Sequence, residues 1–532
     1  MSETNRGGRP PIARLALPLA LLVILSLALA VLIGRGKGLW EDVLLENLPP
    51  ADERRAPEPV SPRLPAPSIR VRNVRPAYAA GKFYPEDTEE LFDMAGQMFS
   101  NAQFVGLKGC RAILVPHAGY VYSGEVAAVS FRQLDKNFRR AFILAANHSG
   151  EADFKGVSIP LVTHYAVPGA EVPLSDIAEE LRADPLFTHE PLAHRDHMIE
   201  LELPFLHLLR GQPDEPDFSI VPMILGRMDT EDSERLAEIL HRYSDDETIF
   251  VFSVDLSHFF DDQRARNLDA YTIRSIMSQD RDALSRATTD GNHVLLTMLG
   301  LAERGGWEAT NLGYRNSGDV SGDKSRVVGY TAITFHEPFS LSAEEQKLLL
   351  ALAREGIGEY LESGRLKGPE RTRLAQHPIL RIPRGVFVTL EKNGRLRGCI
   401  GDLFPRGPLF ESVLSCGVKS AVQDRRFSPV TREELDQLTI SVSVLEFPRP
   451  VEVASPLDYL KVLRPGKDGV ILLYRGGQST FLPYVWKDIS DPVEFLARLC
   501  QKQGAPPNCW RDRQAALLRY GAYEFSEKAR RD

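Results

Sequence analysis

From about residue 75 to residue 336 the chain alternates short apolar runs with amphipathic stretches. Apolar runs at 112–115, 141–146, 157–161, 218–224, 248–253 and 327–335 predict strands. Runs of this length, bounded by turn residues, suit strands buried on both faces. Helical periods fall between them at 175–181, 198–209 and 233–243. Ser123, followed by Glu125 and apolar residues, predicts the N-cap of a helix reaching about Leu134. Alternation of strand and helix predicts an α/β domain with a largely parallel sheet.

The pattern breaks near His336-Glu337-Pro338. "SLSAEEQKLLLALAREGIGEYL" then predicts a helix with Ser342 near its N-cap. In "GVFVTLEKNGRLRGCIG" two strand-like runs flank Asn393-Gly394, which predicts a tight hairpin. In "SDPVEFLARLCQKQG" Asp491 reads as N-cap, Pro492 as N1, Glu494 as N3 and Gly504 as the residue past the end. A second domain of mixed strands and helices is therefore expected over 339–532, after a first over 75–338.

The N-terminus reads differently. Residues 15–33, "LALPLALLVILSLALAVLI", carry no charge and are flanked by Arg6, Arg9, Arg14, Arg35 and Lys37. At about 1.5 Å per residue the segment spans roughly 28 Å, close to a bilayer's hydrocarbon thickness. It predicts a single-pass membrane anchor within residues 1–46. A cleaved signal peptide is the rival reading, since Ala28-Leu29-Ala30 resembles a cleavage site. Basic residues on both flanks leave the side of the membrane open. Residues 47–74, rich in proline and charge, predict a semi-stiff linker.

Across 532 residues the composition is that of a globular protein, 43% hydrophobic and 26% charged. The formal net charge of −8 gives no basic footprint for nucleic acid. Five cysteines do not make a disulfide framework, and their odd number leaves at least one thiol unpaired. Cys416, Cys500 and Cys509 read as packing residues.

Three histidines share one placement. His117 follows the run ending at Val115, His148 follows "AFILAAN" and His258 follows "IFVFSVDLS". Each lies just past the C-terminal end of a predicted strand, where open α/β sheets build their sites. "HRDHMIELELPF" adds His197 and Glu200, which share one face at i, i+3 if the segment is helical. Asp255, three residues before His258, is placed to orient a histidine. Imidazoles with a carboxylate suit a divalent transition metal. Two histidines and one carboxylate suggest non-haem Fe(II), whereas three histidines and water also suit Zn(II). The spacing leaves both open.

These motifs resemble the MEMO family. The resemblance rests on "RPAYAAGKFYP" (75–85), "PHAGYVYSG" (116–124), "NHSG" (147–150), "DHMIELELPFL" (196–206), "DLSH" (255–258) and "VVGYTAI" (327–333). It implies a fold similar to class III extradiol dioxygenases, which are non-haem iron enzymes, and a pocket of His117, His148 and His258 with Asp255 and His197 nearby. Two departures stand out. "NSGDVSGDKSRVVGY", where a member of the family is thought to use a cysteine, has none, which leaves the third ligand open. Asp290-Gly291 stands where many bacterial relatives carry Cys-Gly.

The second domain resembles the AMMECR1 family through the LRGCIG motif within 385–401, "AVQDRRFSPVTREELDQLTISVSVLEFP" (421–448) and "FLPYV" (481–485). Read as chemistry, Cys399 beside Arg397 is either an activated thiolate or a buried structural cysteine, with Arg397 paired to a carboxylate such as Asp424; Asp424 and Arg426 also offer a small anion pocket. The fusion resembles joined A and B components of the AmmeMemoRadiSam system. That implies a radical SAM protein as partner, because this chain carries no CxxxCxxC motif.

The expected architecture is thus an α/β, extradiol dioxygenase-like domain followed by an α+β AMMECR1-like domain, with an N-terminal transmembrane helix. The expected function is a membrane-tethered, metal-dependent enzyme acting on an unidentified small molecule or peptide. In it His117, His148 and His258 bind Fe(II), or Zn(II) for a hydrolytic variant, Asp255 orients a histidine, and His197, Glu200 or Tyr120 handles protons. The alternative is a non-catalytic binding protein that uses the same pocket.

Overall fold

In the first domain the apolar runs form the strands β1 (Ala112–Val115), β2 (Arg140–Ala146), β3 (Val157–Ser158), β4 (Phe187–Thr188), β5 (Ser219–Leu225), β6 (Thr248–Ser253), β7 (His258–Phe260), β8 (Glu308–Asn316) and β9 (Val327–His336). They make one sheet in the order β7-β9-β1-β6-β2-β5-β3-β4, with β8 paired to β9. The neighbours β1–β6, β6–β2 and β2–β5 are parallel. The edges at β9, β8 and β7 are antiparallel. This is the computed structural model of the chain. It describes residues 71–528 apart from 149, 151, 212–215, 367 and 369–373.

Successive residues of a strand face opposite sides, and the core divides accordingly. Ala112, Leu114, Phe142, Leu144, Phe250 and Phe252 pack on one face. Against them lie α4 (Thr230–His241) and α6 (Asn292–Gly305), through residues such as Leu236 and Leu295. Ile113, Val115, Ile143 and Val251 pack on the other face. There they meet α1 (Thr88–Asn101), α2 (Tyr120–Phe131) and α3 (Leu203–Leu209). A sheet covered on both sides needs strands that are apolar throughout, which is why the runs do not alternate.

Local signals explain the ends of the helices and also correct two expectations. Asp229 caps α4 in a reciprocal box with Asp232. Ser123, however, does not cap α2. That helix starts at Tyr120 behind Gly119, and the Ser123 hydroxyl donates to the Ala118 carbonyl at 2.7 Å. The stretch expected to be helical from residue 198 is a short 3₁₀ turn at Glu200–Glu202, and α3 begins only at Leu203. Pro204 sits in its first turn, the one place where a missing N–H costs nothing.

The second domain opens with α7 (Ala343–Ser363), capped by Ser342 in a box with Glu345. Strands β10 (Val386–Lys392) and β11 (Arg395–Asp402) form the expected hairpin. Asn393 and Gly394 both have positive φ, 53° and 72°, the conformation a two-residue turn of this hand requires. With β12 (Leu438–Leu445) the hairpin packs against α7 and α8 (Leu409–Val422). A second antiparallel sheet contains β13 (Gly469–Tyr474), β14 (Gly477–Phe481) and β15 (Ala516–Tyr520); β16 (Ala522–Ser526) closes the first sheet beside β12. Helix α9 (Pro492–Lys502) is capped by Asp491 as its sequence predicts. Cys500 and Cys509 are joined in a disulfide, with Cα atoms 5.9 Å apart, so they are a bonded pair rather than separate packing residues.

The two domains share a core. Val105, Leu107 and Cys110, from the loop before β1, lie in one apolar cluster with Leu349, Leu380 and Val413 of the second domain. In the other direction Phe447 packs against the first-domain cluster that contains Phe250.

The expected membrane-spanning helix finds no support in the described structure. Among the described residues no helix is long and apolar enough to cross a membrane. Residues 15–33, on which that expectation fell, lie outside the described residues, as does the linker up to residue 70.

Candidate metal centre

The carboxyl ends of three neighbouring parallel strands set the geometry. His117 follows β1, His148 follows β2 and Asp255 follows β6, so the sheet delivers all three to one edge. Asp290 arrives from the loop in front of α6, whose backbone is tied back by the Thr289 hydroxyl donating to the Asp255 carbonyl at 2.7 Å. His117, His148 and Asp290 offer ligand atoms within 4.8 Å of one another, and so do Asp255, His258 and Asp290. Asp290 belongs to both groups. The three expected histidines do not form one ligand triad, because His258 reaches the cluster only with the carboxylates.

Hydrogen bonds orient these groups. The backbone N–H of His117 donates to Asp255 Oδ1 at 2.9 Å. Its Nδ1 lies 3.0 Å from Ser253 Oγ. Ser253 donates to the Met198 carbonyl at 2.9 Å and lies 2.8 Å from Glu202 Oε1. With the serine proton so committed, the neutral ring carries its proton on Nδ1 and keeps a lone pair on Nε2. His258 makes the same arrangement through Nδ1 and the Leu256 carbonyl at 2.9 Å. On α5 (Asp262–Met277), Asp269 accepts the Ser257 N–H at 2.9 Å and the Tyr314 hydroxyl at 2.7 Å, which braces the turn that carries His258.

Two of the cluster's ligand atoms are buried without hydrogen-bond partners, His117 Nε2 and Asp290 Oδ1. His117 Nε2 is 3.2 Å and His148 Nε2 3.4 Å from Asp290 Oδ2. Buried polar atoms are ordinarily paired, and a cation between them satisfies both. The electrostatics agree. Burial alone would lower the pKa of His117, but Asp255 and Asp290 outweigh it and push it up to about 9. Burial would raise Asp290, but His117 and His148 hold it well below the usual carboxylate range. The cluster attracts positive charge, and the donor set fits a divalent metal.

His197 stands at the edge of this cluster. Its ring stacks on Phe83 at 3.8 Å, lies 5.6 Å from the His117 ring, and is held through Nδ1 by Asp196 at 2.6 Å. Burial, countered in part by Asp196, lowers its pKa. Glu200 is turned elsewhere. It is wholly buried and ion-paired with Arg75, and it accepts the Tyr84 hydroxyl and the N–H groups of Tyr78 and Ala79. Every lone pair it has is engaged within the protein, which leaves none for a metal. The Tyr120 hydroxyl donates to the Leu201 carbonyl at 2.6 Å, and burial raises its pKa well above the ordinary value, which removes it as a proton carrier.

Sequence reasoning missed Asp290 as a candidate ligand and Glu202 as a buried acid, which burial pushes up to about 8. Asp290 carries no strand-end signal, since no apolar run precedes it.

In the second domain the expected residues come together with different partners. Arg397 grips Glu434 with two hydrogen bonds, at 2.8 and 2.9 Å, and not Asp424. Asp424 pairs with Arg426 at 2.7 Å and accepts the Cys399 N–H at 2.9 Å. Arg426 donates to the Cys399 carbonyl at 3.2 Å. Burial raises the Cys399 thiol pKa against the opposing pull of Arg426 and Lys502, so the activated-thiolate reading is not sustained.

The fold and the cluster define a two-domain α/β protein with a candidate histidine–carboxylate metal site at its strand ends. Residues 75–334 match the family described as Memo-like protein, and residues 350–525 match AMMECR1. The chain belongs to these families, joined in one polypeptide. A protein of Methanothermobacter thermautotrophicus is 40% identical over 190 residues, which is 35% of this chain and 96% of that protein. One from Thermofilum pendens is 39% identical over 198 residues, 35% of this chain and 92% of that protein. The crystal structure of uncharacterized protein PH0010 from Pyrococcus horikoshii is 37% identical, covers 36% of this chain and 95% of that one, and superposes with a TM-score of 0.34.

Proposed function

We propose that the chain is a non-haem metal-dependent oxidoreductase in which His117, His148 and Asp290 hold Fe(II). The supporting observation is the convergence of two imidazoles and one carboxylate around the unpartnered His117 Nε2. A set of two histidines and one carboxylate with open positions suits Fe(II) in enzymes that use dioxygen. When bound, such an ion supplies polarisation of an oxygen ligand and electron exchange with dioxygen.

The chain's own residues do the rest. Ser253 fixes the His117 tautomer, and Asp255 fixes its backbone. His197, anchored through Nδ1, keeps Nε2 as the atom that takes or returns a proton beside the cluster. The substrate is a small molecule or peptide that reaches the site past His148, whose side chain is one quarter exposed. A radical SAM protein, implied by the likeness to the fused A and B components, supplies or consumes that substrate.

The test is the metal content of the anaerobically purified full chain beside His117→Ala, His148→Ala and Asp290→Asn. The expected result is near-stoichiometric iron in the wild type, lost in all three folded variants. Stoichiometric zinc instead would move the reading to hydrolysis. A wild type that retains no metal after anaerobic reconstitution with Fe(II) would overturn the proposal and leave a binding protein.

A further inference from the structure

A cleft of about 740 Å³ lies between the two domains, away from the histidine cluster. One wall is a single face of α5, where Arg266, Ala270, Ile273, Arg274 and Met277 recur every three or four residues. Tyr314 of β8 continues that wall. The facing wall comes from the second domain, where Phe404 and Phe447 meet edge to face at 5.5 Å, next to Pro405 and Arg406. The volume lies in the range of small-molecule sites, which favour domain interfaces and apolar walls with few polar groups.

The charge is one-sided. Three arginines line the cleft, and among the described residues no carboxylate does. Arg266 is held from behind by Asp262 and Asp319, and Arg406 by Asp402. Arg274 has no carboxylate partner among the described residues. Like charges gathered at an apolar cleft favour an anionic occupant.

We propose that this cleft is a binding site for an organic anion with an aromatic or branched aliphatic body. The body lies between the α5 face and the Phe404–Phe447 pair, and the anionic group faces Arg274 and Arg406. The site borders the support of the metal cluster. Tyr314, which lines the cleft, donates to Asp269, and Asp269 holds the Ser257 N–H next to His258.

The test uses the full chain and the fluorescent probe 8-anilinonaphthalene-1-sulfonate, an aromatic body with one anionic group. N-phenyl-1-naphthylamine provides the same body without the charge. Saturable one-to-one binding of the sulfonate is expected. It should weaken at least tenfold in Arg274→Glu and in Arg406→Glu, and vanish in Ala270→Trp, which fills the cleft. The neutral probe should bind at least tenfold more weakly than the sulfonate. Arg406 is three-quarters exposed, so its reversal leaves the fold intact and decides the matter if the tryptophan variant does not fold. No saturable binding by the wild type, unchanged binding in both charge reversals, or equal binding of the neutral probe each overturns the proposal.

Discussion

Arg75→Met tests the assignment of Glu200 to structure rather than chemistry. Both side chains of this ion pair are buried, 4% and 0% exposed. The guanidinium also donates to the carbonyls of His194, Pro76 and Asp196. It therefore ties the segment around residue 75 to the loop that carries His197. Removing one partner of a buried pair leaves an uncompensated charge and costs roughly 3–5 kcal/mol. For a domain of this size that lowers Tm by roughly 6–20 °C, taking about 2–4 °C per kcal/mol. Glu200→Gln keeps the shape and should lose a similar amount, since it strands the arginine instead. The double variant Arg75→Met/Glu200→Gln should recover part of the sum, giving a coupling of about 1–3 kcal/mol in a double-mutant cycle. The assay is urea unfolding of all four proteins, with metal content measured in each folded state. Single variants within about 1 kcal/mol of wild type, or a Glu200→Gln protein that is fully stable but holds no metal, would refute the reasoning.

Other expectations follow from the same structure. Burial, with Arg75, lowers the pKa of His194 to about 3, and burial, with Arg384, lowers that of His336 to about 4. Both therefore stay neutral when folded while an unfolded histidine protonates near 6.5. Their stabilisation is present above about pH 6.5 and is lost as pH falls toward 4. Between pH 7 and 4.5 the unfolding free energy from urea titrations should drop by roughly 5 kcal/mol more in the wild type than in His194→Gln/His336→Gln, a comparison in which the opposing contribution of Glu202 cancels; identical profiles would refute the buried-neutral assignment. The Cys399 thiol, raised by burial, should alkylate at pH 7.5 at least tenfold more slowly in the native chain than in denaturant; rapid native labelling restores the activated-thiolate reading. Reducing the Cys500–Cys509 disulfide, which closes a loop over a separation of nine residues, should cost about 2–3 kcal/mol. Unfolding with and without dithiothreitol measures that cost, and equal midpoints would count against the bond.

Much of the first domain is readable because burial on both sheet faces leaves an unbroken apolar run. Residues 112–115 and 248–253 are strands with the bounds the sequence predicts. The strand-end position of His117 and His148 follows from the same runs. The caps Ser342 and Asp491 are equally readable, because each acts within three residues of itself, whereas Ser123 bonds back to Ala118 and caps nothing. Partners chosen across the chain are not. Arg75 finds Glu200 over 125 positions, and Asp290 reaches His117 from a polar loop with no periodicity around it. The i, i+3 argument for His197 and Glu200 failed because Pro204 favours a helix that begins beside it, leaving the residues before it in a tighter turn. Arg397 chose Glu434 over Asp424 for a similar reason: the competition among carboxylates is decided by folded geometry.

The interlocked core has a bearing on how this protein can be taken apart. Val105, Leu107 and Cys110 sit among second-domain side chains, and Phe447 sits among first-domain ones. A cut at residue 338 would leave each fragment with a socket and an unhoused plug. The fused chain should therefore melt in one step, resist protease at its junction, and stay at a fixed one-to-one ratio that two separately made polypeptides would have to reach by collision.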